Sequence, residues 1–438
     1  MRPSEAAAFQ PRRVLTVDLD SSRLQYPDPA GLAAHPMAHV LVRWLGQPVG
    51  MLDLEGDDDA VLAAAAEQAV RQLRPELIAV AERCGVPAPV TSNDLRVTPP
   101  WRQVLPPEPR PFVTVTIASF RNIDSTVDTV RRVLGNSWTP FEIVVVDNDA
   151  DPGPLAAALS AAFGGDARVR WVHEPRQGLS FARNAGLAAA RGEYVVFTDD
   201  DVLADENWIA FLAAGFDVVE DVACVTGAII PAELETQPQL WLEEYGGFHK
   251  GFRRQVFNLT THRRNTPLYP YDSGQFGAGA NMAFRADVLR KLGGFAVDLG
   301  AGTPAHGGED LDMTRRIVTA GYSVVYEPAA LLWHRHRRSM GALRRQMFRY
   351  GIGLSATVTK WLFEDPAVRR DVLVRLPRGV QHVVSPTSRK NENKSGTFPG
   401  ELTWRERAGI LVGPAAYLRS RRRLSRMRSG GASAGDTV

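Results

Sequence analysis

Three aspartates, Asp199, Asp200 and Asp201, follow the apolar run YVVF and form an unbroken acidic triplet. Adjacent like charges repel one another, and a bound cation is the usual remedy. Carboxylate oxygens suit Mg²⁺ or Mn²⁺, which keep water ligands and bridge to substrate phosphates. The triplet therefore indicates a divalent metal site, with a solvated acidic turn or a helix N-cap as the alternative.

Further acidic side chains stand at two comparable places. Asp147 ends the apolar run VVVD, and Glu309 and Asp310 begin a segment with the spacing of an amphipathic helix. Acidic residues at two strand ends of one sheet favour a common ligand, whereas a turn or a cap is the alternative for Asp147. Acidic residues at a helix N-terminus complement the helix dipole, so spacing alone gives Glu309 and Asp310 no function.

A histidine and a glycine-rich loop complete the set of candidates. His334 and His336 lie in the segment LLWHRHRR, where a lone histidine is usually structural and a His-Arg run is usually a solvated face. Two residues apart on an extended segment, the two histidines would face the same way. Gly277 and Gly279 lie in QFGAGANM together with Asn281. Small residues let the backbone approach a ligand closely, and a tight loop before a helix is the alternative.

These side chains need a framework that gathers them at one edge. Two short β-branched runs, FVTVTIASF and FEIVVVDND, flank a segment with helical spacing of its apolar residues. Two further runs, VRWVHE and GEYVVFTDDD, each follow a helix-like segment. This order predicts parallel pairing and an open, doubly wound α/β sheet. Ligands of such sheets bind beyond the carboxyl ends of the strands, where the acidic residues lie.

The flanking segments differ from this central part. Residues 1–85 combine extended segments with an Ala-rich helical pattern and predict a small α/β domain of unknown role. Residues 86–111 are rich in proline and predict a linker, while 339–428 predict a helical, basic region before a disordered tail at 429–438. Between Arg335 and Arg428 the chain carries 22 Lys or Arg against 6 Asp or Glu, which suits an anionic surface such as a membrane.

The overall composition narrows the class of protein. The chain has 438 residues, of which 44% are hydrophobic and 23% charged, as expected for one large enzyme domain with smaller additions. Cys84 and Cys224 support neither a disulfide framework nor a zinc site. No apolar stretch has the length of a signal peptide or a membrane span, which predicts a cytoplasmic protein, at most peripheral on the inner face of the membrane. The basic residues come without a nucleic-acid recognition motif, so no nucleic acid is expected as a partner.

Over 112–338 the chain resembles a family 2 glycosyltransferase with the GT-A fold, through VTVTIASF, VVVDND, GLSFARNAGLAAARGEYVVFTDDD, QFGAGANMAFR and GGEDLD. The resemblance implies a nucleoside diphosphate sugar as donor and Mg²⁺ or Mn²⁺ as cofactor. It implies contacts to the nucleotide sugar from Ala118, Ser119, Phe120, Asp147, Arg183, Asn184, Asp199 and Asp200. It implies metal ligation by Asp201, Asp199 and His334, acceptor-side roles for Gly277, Gly279 and Asn281, and catalysis by Asp310 with Glu309 beside it.

The reaction that the resemblance implies is transfer of a sugar to an acceptor hydroxyl with inversion. Asp310 is then the base, because a hydroxyl is a weak nucleophile until its proton is accepted. The acceptor stays open between a lipid-linked molecule, a glycan and a small molecule. One alternative is a nucleotide-sugar-binding module without catalysis. Another is a sugar-phosphate nucleotidyltransferase, which would place a Gly-rich, basic loop where this chain has ASFRNID.

Overall fold

The structure is a computed structural model of the chain. It describes residues 9–28, 35–96, 109–364, 366–385, 388, 391, 394–395 and 397–432. Residues 97–108 of the predicted linker and residues 433–438 of the predicted tail lie outside the described residues.

The N-terminal part of the chain is a small four-stranded sheet with two helices. Its elements are β1 (Arg12–Asp18), β2 (Arg23–Gln25), β3 (Met37–Trp44), β4 (Gln47–Glu55), α1 (Asp58–Gln72) and α2 (Arg74–Cys84). The strand order is β2-β1-β3-β4, and α1 and α2 share one apolar core with the sheet. The hairpin between β3 and β4 turns at Leu45 and Gly46, both with positive φ. Val14 and Leu41 pack into a core of the large sheet, so the two sheets share apolar contacts.

The large sheet contains nine strands. They are β5 (Val113–Ser119), β6 (Phe141–Asp147), β7 (Val169–His173), β8 (Tyr194–Thr198), β9 (Val202–Ala204), β10 (Val222–Pro231), β11 (Gln255–Phe257), β12 (Asn281–Arg285) and β13 (Ser323–His334). Their order is β11-β13-β10-β12-β8-β5-β6-β7, with β9 paired to β13. Strands β5 to β8, β10 and β13 run in one direction, while β12 lies antiparallel between β8 and β10.

Helices cover both faces of this sheet. They are α3 (Ile123–Leu134), α4 (Gly153–Phe163), α5 (Leu179–Ala189), α6 (Trp208–Ala214), α7 (Gln237–Glu244), α8 (Ala286–Lys291) and α9 (Glu309–Thr319). Helices α3, α4 and α6 contribute to one apolar core, and α8 and α9 contribute to another on the opposite face. Because β6 is covered on both faces, all seven of its residues are buried. The predicted architecture is confirmed: a doubly wound, mostly parallel α/β sheet with a small N-terminal α/β part and a helical C-terminal region.

Three helices follow the sheet. They are α10 (Met340–Leu362), α11 (Pro366–Val384) and α12 (Gly400–Ala432). Helices α10 and α12 pack closely where a Cβ at Gly351 would collide with the carbonyl of Glu406, and one at Gly409 with the carbonyl of Phe348. Within the described ranges, every helix is too short or too polar to span a bilayer.

Candidate active site

The carboxyl ends of β5, β6 and β8 meet at one edge of the large sheet. In the parallel pairing Ser119 lies opposite Asp147, and Ile117 lies opposite Thr198. Asp199 therefore follows β8 at the level where β5 and β6 end. This register gathers side chains that are distant in sequence, as the predicted sheet requires.

Asp199, Asp201 and His334 converge beside this edge. One ligand atom from each lies within 4.8 Å of the other two, and His334 Nε2 is 3.3 Å from Asp201 Oδ1. The pairing of β13 with β9 brings them together, since His334 stands opposite Val202, the residue after Asp201. Burial raises the pKa of Asp199. Burial acts in the same direction on Asp201, but His334 outweighs it and holds the pKa of that carboxyl below its ordinary value.

This donor set fits a divalent cation. Two carboxylate oxygens and one imidazole nitrogen suit Mn²⁺, and the carboxylates alone suit Mg²⁺. Half-buried carboxylates placed side by side also need positive charge, and the pKa of Asp199 is raised accordingly by desolvation and by the neighbouring Asp201. Asp199, Asp201 and His334 are thus the residues that would hold a metal.

A second histidine and a glutamate fix the orientation of His334. His336 Nδ1 lies 3.1 Å from His334 Nδ1, and His336 Nε2 lies 2.7 Å from Glu243 Oε1. The carboxylate of Glu243 accepts the Nε2 proton of His336, which leaves His336 Nδ1 as an acceptor for the Nδ1 proton of His334. In this neutral tautomer, which metal ligation would require, His334 Nε2, the nitrogen beside Asp201, offers a lone pair, whereas without a metal it can carry the proton that stabilises the Asp201 carboxylate. No sequence pattern points to Glu243, which lies 93 positions from His336.

Arg183 on α5 connects the acidic groups. Its Nη1 donates to Glu309 Oε1 at 2.8 Å, its Nη2 donates to the carbonyl of Gly279 at 2.9 Å, and Nη2 lies 3.5 Å from Asp199 Oδ1. Glu309 is buried, which raises its pKa against the opposing effect of Arg183. Glu309 Oε2 has no hydrogen-bond partner among the described residues. Glu309 therefore positions Arg183, which in turn faces Asp199.

Asp310 is held by backbone amides in the same cavity. The amide of Gly279 donates to Asp310 Oδ2 at 3.0 Å, and the amide of Leu311 donates to Oδ1 at 2.8 Å. A Cβ at position 279 would stand 3.1 Å from both Arg183 Nη2 and Asp310 Oδ2, so glycine leaves room for this close approach. At Gly277 φ is +137°, which other residues rarely adopt. Gly277 and Gly279 therefore shape the site through their backbone.

The other half of the edge lies at the ends of β5 and β6. Asp147 is buried, which raises its pKa, and its Oδ2 has no hydrogen-bond partner within the described ranges. The Ser119 hydroxyl bonds to Thr126 Oγ1 at 2.7 Å, while the exposed ring of Phe120 lies under the Arg121 guanidinium. Ala118 packs partly buried beside Val144 and Val146. We call Ala118, Ser119, Phe120 and Asp147 the shelf. They lie at the ends of β5 and β6, beside the acidic triplet.

Asp200 joins this shelf to the metal candidates. Asn122 Nδ2 donates to Asp200 Oδ1 at 3.0 Å, and burial raises the pKa of Asp200 to about 6. Asn122 follows the first strand of the sheet and was missed by the sequence analysis. Asp200 thus faces the β5 end of the edge, whereas Asp199 and Asp201 face His334.

Two predicted site residues have other partners. Asn281 is fully buried in the sheet, where its amide nitrogen donates to the carbonyls of Ala228 and Ala330 and its oxygen accepts from Trp208 Nε1. The predicted acceptor-side role of Asn281 is therefore wrong, because every polar atom of its amide is used inside the protein. Asn184 exchanges two hydrogen bonds with the backbone of Phe295 and does not line the cavity. It ties α5 to the loop after α8.

One cavity of about 1820 Å³ receives most of the remaining candidates. Its wall includes metal, catalytic and acceptor-side candidates: Arg183, Asp199, Gly277, Gly279, Glu309, Asp310 and His334. The other candidates do not line it: Ala118, Ser119, Phe120, Asp147, Asp200 and Asp201. From there it extends between α10, α11 and α12. The geometry thus places a base candidate and a metal candidate in one space.

Comparisons with known proteins identify the family of this chain. Residues 109–353 match the family described as "Glycosyltransferase like family 2". A "Pre-mycofactocin glycosyltransferase" of Mycobacterium tuberculosis is 29% identical over 230 residues, which are 52% of this chain and 43% of the relative. A "Glucosyl-dolichyl phosphate glucuronosyltransferase" of Haloferax volcanii is 27% identical over 194 residues, which are 43% of this chain and 56% of the relative. The chain spans about half the length of these curated relatives.

Among solved structures, the mannosyltransferase PcManGT from Pyrobaculum calidifontis, in complex with GDP-Man and Mn²⁺, is similar at a TM-score of 0.42 and 19% identity. The similarity covers 86% of this chain and 87% of that one. Since the family match extends over more than half of the sequence, this chain belongs to the glycosyltransferase family 2-like proteins.

Proposed function

We propose that this protein transfers a sugar from a nucleoside diphosphate sugar to an acceptor hydroxyl, with inversion and with Mg²⁺ or Mn²⁺. One observation carries the proposal: Asp199 and His334, two of the three metal candidates, line the same cavity as Asp310, and Arg183 contacts the acidic groups on both sides. The proposed sugar is a hexosyl or related group, and relatives named as glycosyltransferases support this part of the proposal.

The shelf at the ends of β5 and β6 takes the nucleoside in this proposal. The unpartnered Oδ2 of Asp147 is a ready acceptor for a ribose hydroxyl or a base N–H. Ala118, Ser119 and Phe120 line the approach, with Asp200 at its inner end. The diphosphate then lies toward Asp199, Asp201 and Arg183, where a metal neutralises charge on the leaving group when bound.

Asp310 takes the acceptor proton. As the proton moves to the carboxylate, the hydroxyl oxygen forms a bond to the anomeric carbon and the bond to the diphosphate breaks. The amides of Gly279 and Leu311 hold the carboxylate in place before the reaction, which saves reorganisation. One displacement by an oxygen opposite the leaving group inverts the anomeric carbon.

The test is release of nucleoside diphosphate from UDP-, GDP- and dTDP-sugars, with and without Mg²⁺ or Mn²⁺. We expect metal-dependent release from one donor, and loss of release in Asp310→Asn and Asp201→Ala. The anomeric configuration of the product, read by NMR, checks inversion. Donor binding without any release in the presence of a competent acceptor would instead identify a non-catalytic binding module.

A further inference from the structure

The exposed apolar side chains are concentrated in the C-terminal helices. Of the fifteen large hydrophobic residues that are exposed within the described part of the chain, eleven lie between Phe363 and Met427. A contiguous exposed apolar surface usually marks a binding surface. This concentration cannot be attributed to scattered surface residues, which are normal elsewhere.

These side chains form stripes along two helices. On α11 the exposed residues Leu373, Leu376 and Val380 are three and four positions apart, and on α12 Trp404 and Leu411 are seven apart. Such spacings place the side chains of each set on one face of their helix. Leu411 is 81% exposed, so this face of α12 has no partner within the described residues.

The apolar stripes meet the mouth of the active-site cavity. Leu376 and Val380 of α11 and Leu411 of α12 line the same cavity as Asp199 and Asp310. A molecule that reached Asp310 from this side would therefore pass between apolar side chains.

Positive charge lines the same cavity as the apolar residues and the reaction site. Arg337, Arg345 and Arg349 line the cavity and have neither a hydrogen bond nor an ion pair among the residues that the structure describes. Arg345 and Arg349 are one turn apart on α10, so they share a face. Unpaired guanidinium groups beside a reaction site suit an anionic ligand, such as a phosphate group.

We propose that the acceptor is a membrane lipid whose head group carries a negative charge and a free hydroxyl. Its head reaches Arg345, Arg349 and Asp310, and its apolar chains lie against Leu376 and Val380. The inference rests on the proposed function, because Asp310 must be the base that receives the acceptor. A second copy of this chain is a poorer occupant of the apolar faces, since it would bring two arginine-rich surfaces together.

The experiment measures lipid binding without a donor. The probe is dihexanoylphosphatidylglycerol, a water-soluble lipid with an anionic head and free hydroxyls. Dihexanoylphosphatidylcholine has the same chains without net charge, and glycerol 3-phosphate has a similar head without chains. We expect calorimetry to show that the probe binds about tenfold more tightly than either control, because each control loses one of the two contributions.

Matched variants locate the binding. Val380→Asp changes a residue of the cavity mouth and should weaken probe binding about tenfold, whereas Val374→Asp changes an equally exposed valine of α11 outside the cavity and should leave it unchanged. Arg345→Gln should weaken binding about fivefold, and Arg370→Gln, which removes the same charge outside the cavity, should not.

Three outcomes would overturn the inference. One is equal binding of the probe and both controls. Another is equal loss in Val380→Asp and Val374→Asp, which would mean unspecific adsorption to α11. The third is a concentration-dependent dimer without lipid that Val380→Asp dissociates. The binding experiment contains no donor, so its result is independent of the release assay with nucleotide sugars. Probe binding together with no release in that assay would defeat the proposed transfer alone, and release without probe binding would defeat this inference alone.

Discussion

Two groups of charged side chains each include one aspartate from the first turn of α9, Asp310 in one group and Asp312 in the other. The groups differ in how far neighbouring side chains neutralise their carboxylates. The edge cluster is defined as Asp199, Asp201, His334 and Asp310, and all of these except Asp201 line the cavity. The anchor cluster, defined as Asp312, Arg315, Arg316 and Lys360, is packed between α9 and α10. Both groups are rich in titratable residues, yet only one of them is saturated by its own neighbours.

The two clusters differ in whether protein side chains already supply hydrogen-bond and ion-pair partners to their carboxylates. In the anchor cluster Asp312 accepts hydrogen bonds from Lys360, Arg316 and Trp361 at 2.9 to 3.0 Å and is fully buried. In the edge cluster His334 lies beside Asp201 and Arg183 lies 3.5 Å from Asp199, while Asp310 accepts hydrogen bonds from two backbone amides. A buried charge with a full set of partners stabilises a fold, whereas carboxylates left facing a cavity invite a cation or a proton.

Asp310→Asn removes the proposed base from the edge cluster and should reduce turnover strongly. The asparagine keeps the shape of the side chain but cannot accept the acceptor proton, so turnover should fall about 10²- to 10⁴-fold. Thermal unfolding should stay close to that of the wild type, because only two backbone amides bond to this carboxylate. The measurements are steady-state release of nucleoside diphosphate and the melting temperature.

Asp287→Asn is the matched control, since Asp287 is an exposed acidic residue in the first turn of α8 that does not line the cavity. It should leave turnover unchanged. If Asp310→Asn instead lowered the melting temperature strongly and kept its turnover when folded, the edge cluster would be structural and the comparison would fail.

Asp312→Asn tests the anchor cluster. The substitution leaves Lys360, Arg315 and Arg316 without their shared anion in a buried place, so it should lower the free energy of unfolding by about 3 to 5 kcal/mol. Turnover per folded molecule should be nearly unchanged, because Asp312 does not line the cavity. Denaturant unfolding gives the first quantity, and activity corrected for the folded fraction gives the second.

The pH dependence of stability offers a second measurement on Asp312. Burial alone would raise the pKa of Asp312, but Lys360, Arg316 and Arg315 outweigh it, so the pKa lies below its ordinary value. The carboxylate therefore stabilises the fold above about pH 4, and this contribution is lost as pH falls toward the lower pKa of the folded state. Asp312→Asn should lack that acid loss, while Asp59→Asn, an exposed first-turn residue of α1, should retain it.

Asp201→Asn tests the metal site within the edge cluster. Loss of one carboxylate charge from the three candidate ligands should weaken Mn²⁺ binding by more than about 100-fold, the upper value for residues that only support a ligand. Asp200→Asn is the neighbouring control, because Asp200 bonds to Asn122 and lies outside the group of three. Equal losses in both variants would contradict the assignment of ligands. Calorimetric titration with Mn²⁺ distinguishes the two results.

The sequence predicts which edge of the sheet carries the candidate site, but only some of the side chains that face it. Strand-end acids such as Asp147 and Asp199 follow from the apolar runs before them, because parallel strands end at one side of a sheet. The burial of the Asn281 side chain could not be predicted from such apolar runs. Whether an amide faces a ligand or the core depends on contacts such as Trp208 and Ala330, which the fold supplies from distant segments.

The C-terminal helices illustrate the same limit. Their basic residues and apolar spacing were visible in the sequence, but the sequence does not say which face packs and which stays exposed. The packing of α10 on α12 decides this, because Gly351 and Gly409 bring one side of α12 against α10 and leave Leu411 outside. Contacts of this kind are tertiary and have no local pattern.

Glu243→Gln should weaken Mn²⁺ binding less than Asp201→Asn does. It tests whether the hydrogen bonds that orient His334 affect metal binding. The glutamine cannot accept the His336 proton as strongly, so the orientation of His334 is less well fixed and Mn²⁺ affinity should fall about 10- to 100-fold. Glu244→Gln is the matched control on α7, because Glu244 bonds instead to Ser395. At saturating Mn²⁺ the Glu243→Gln enzyme should recover most of its turnover, which separates weakened metal binding from damage to Asp310. Unchanged affinity together with reduced turnover at saturation would show that Glu243 acts on the acceptor side of the cavity, which it also lines, and not through the two histidines.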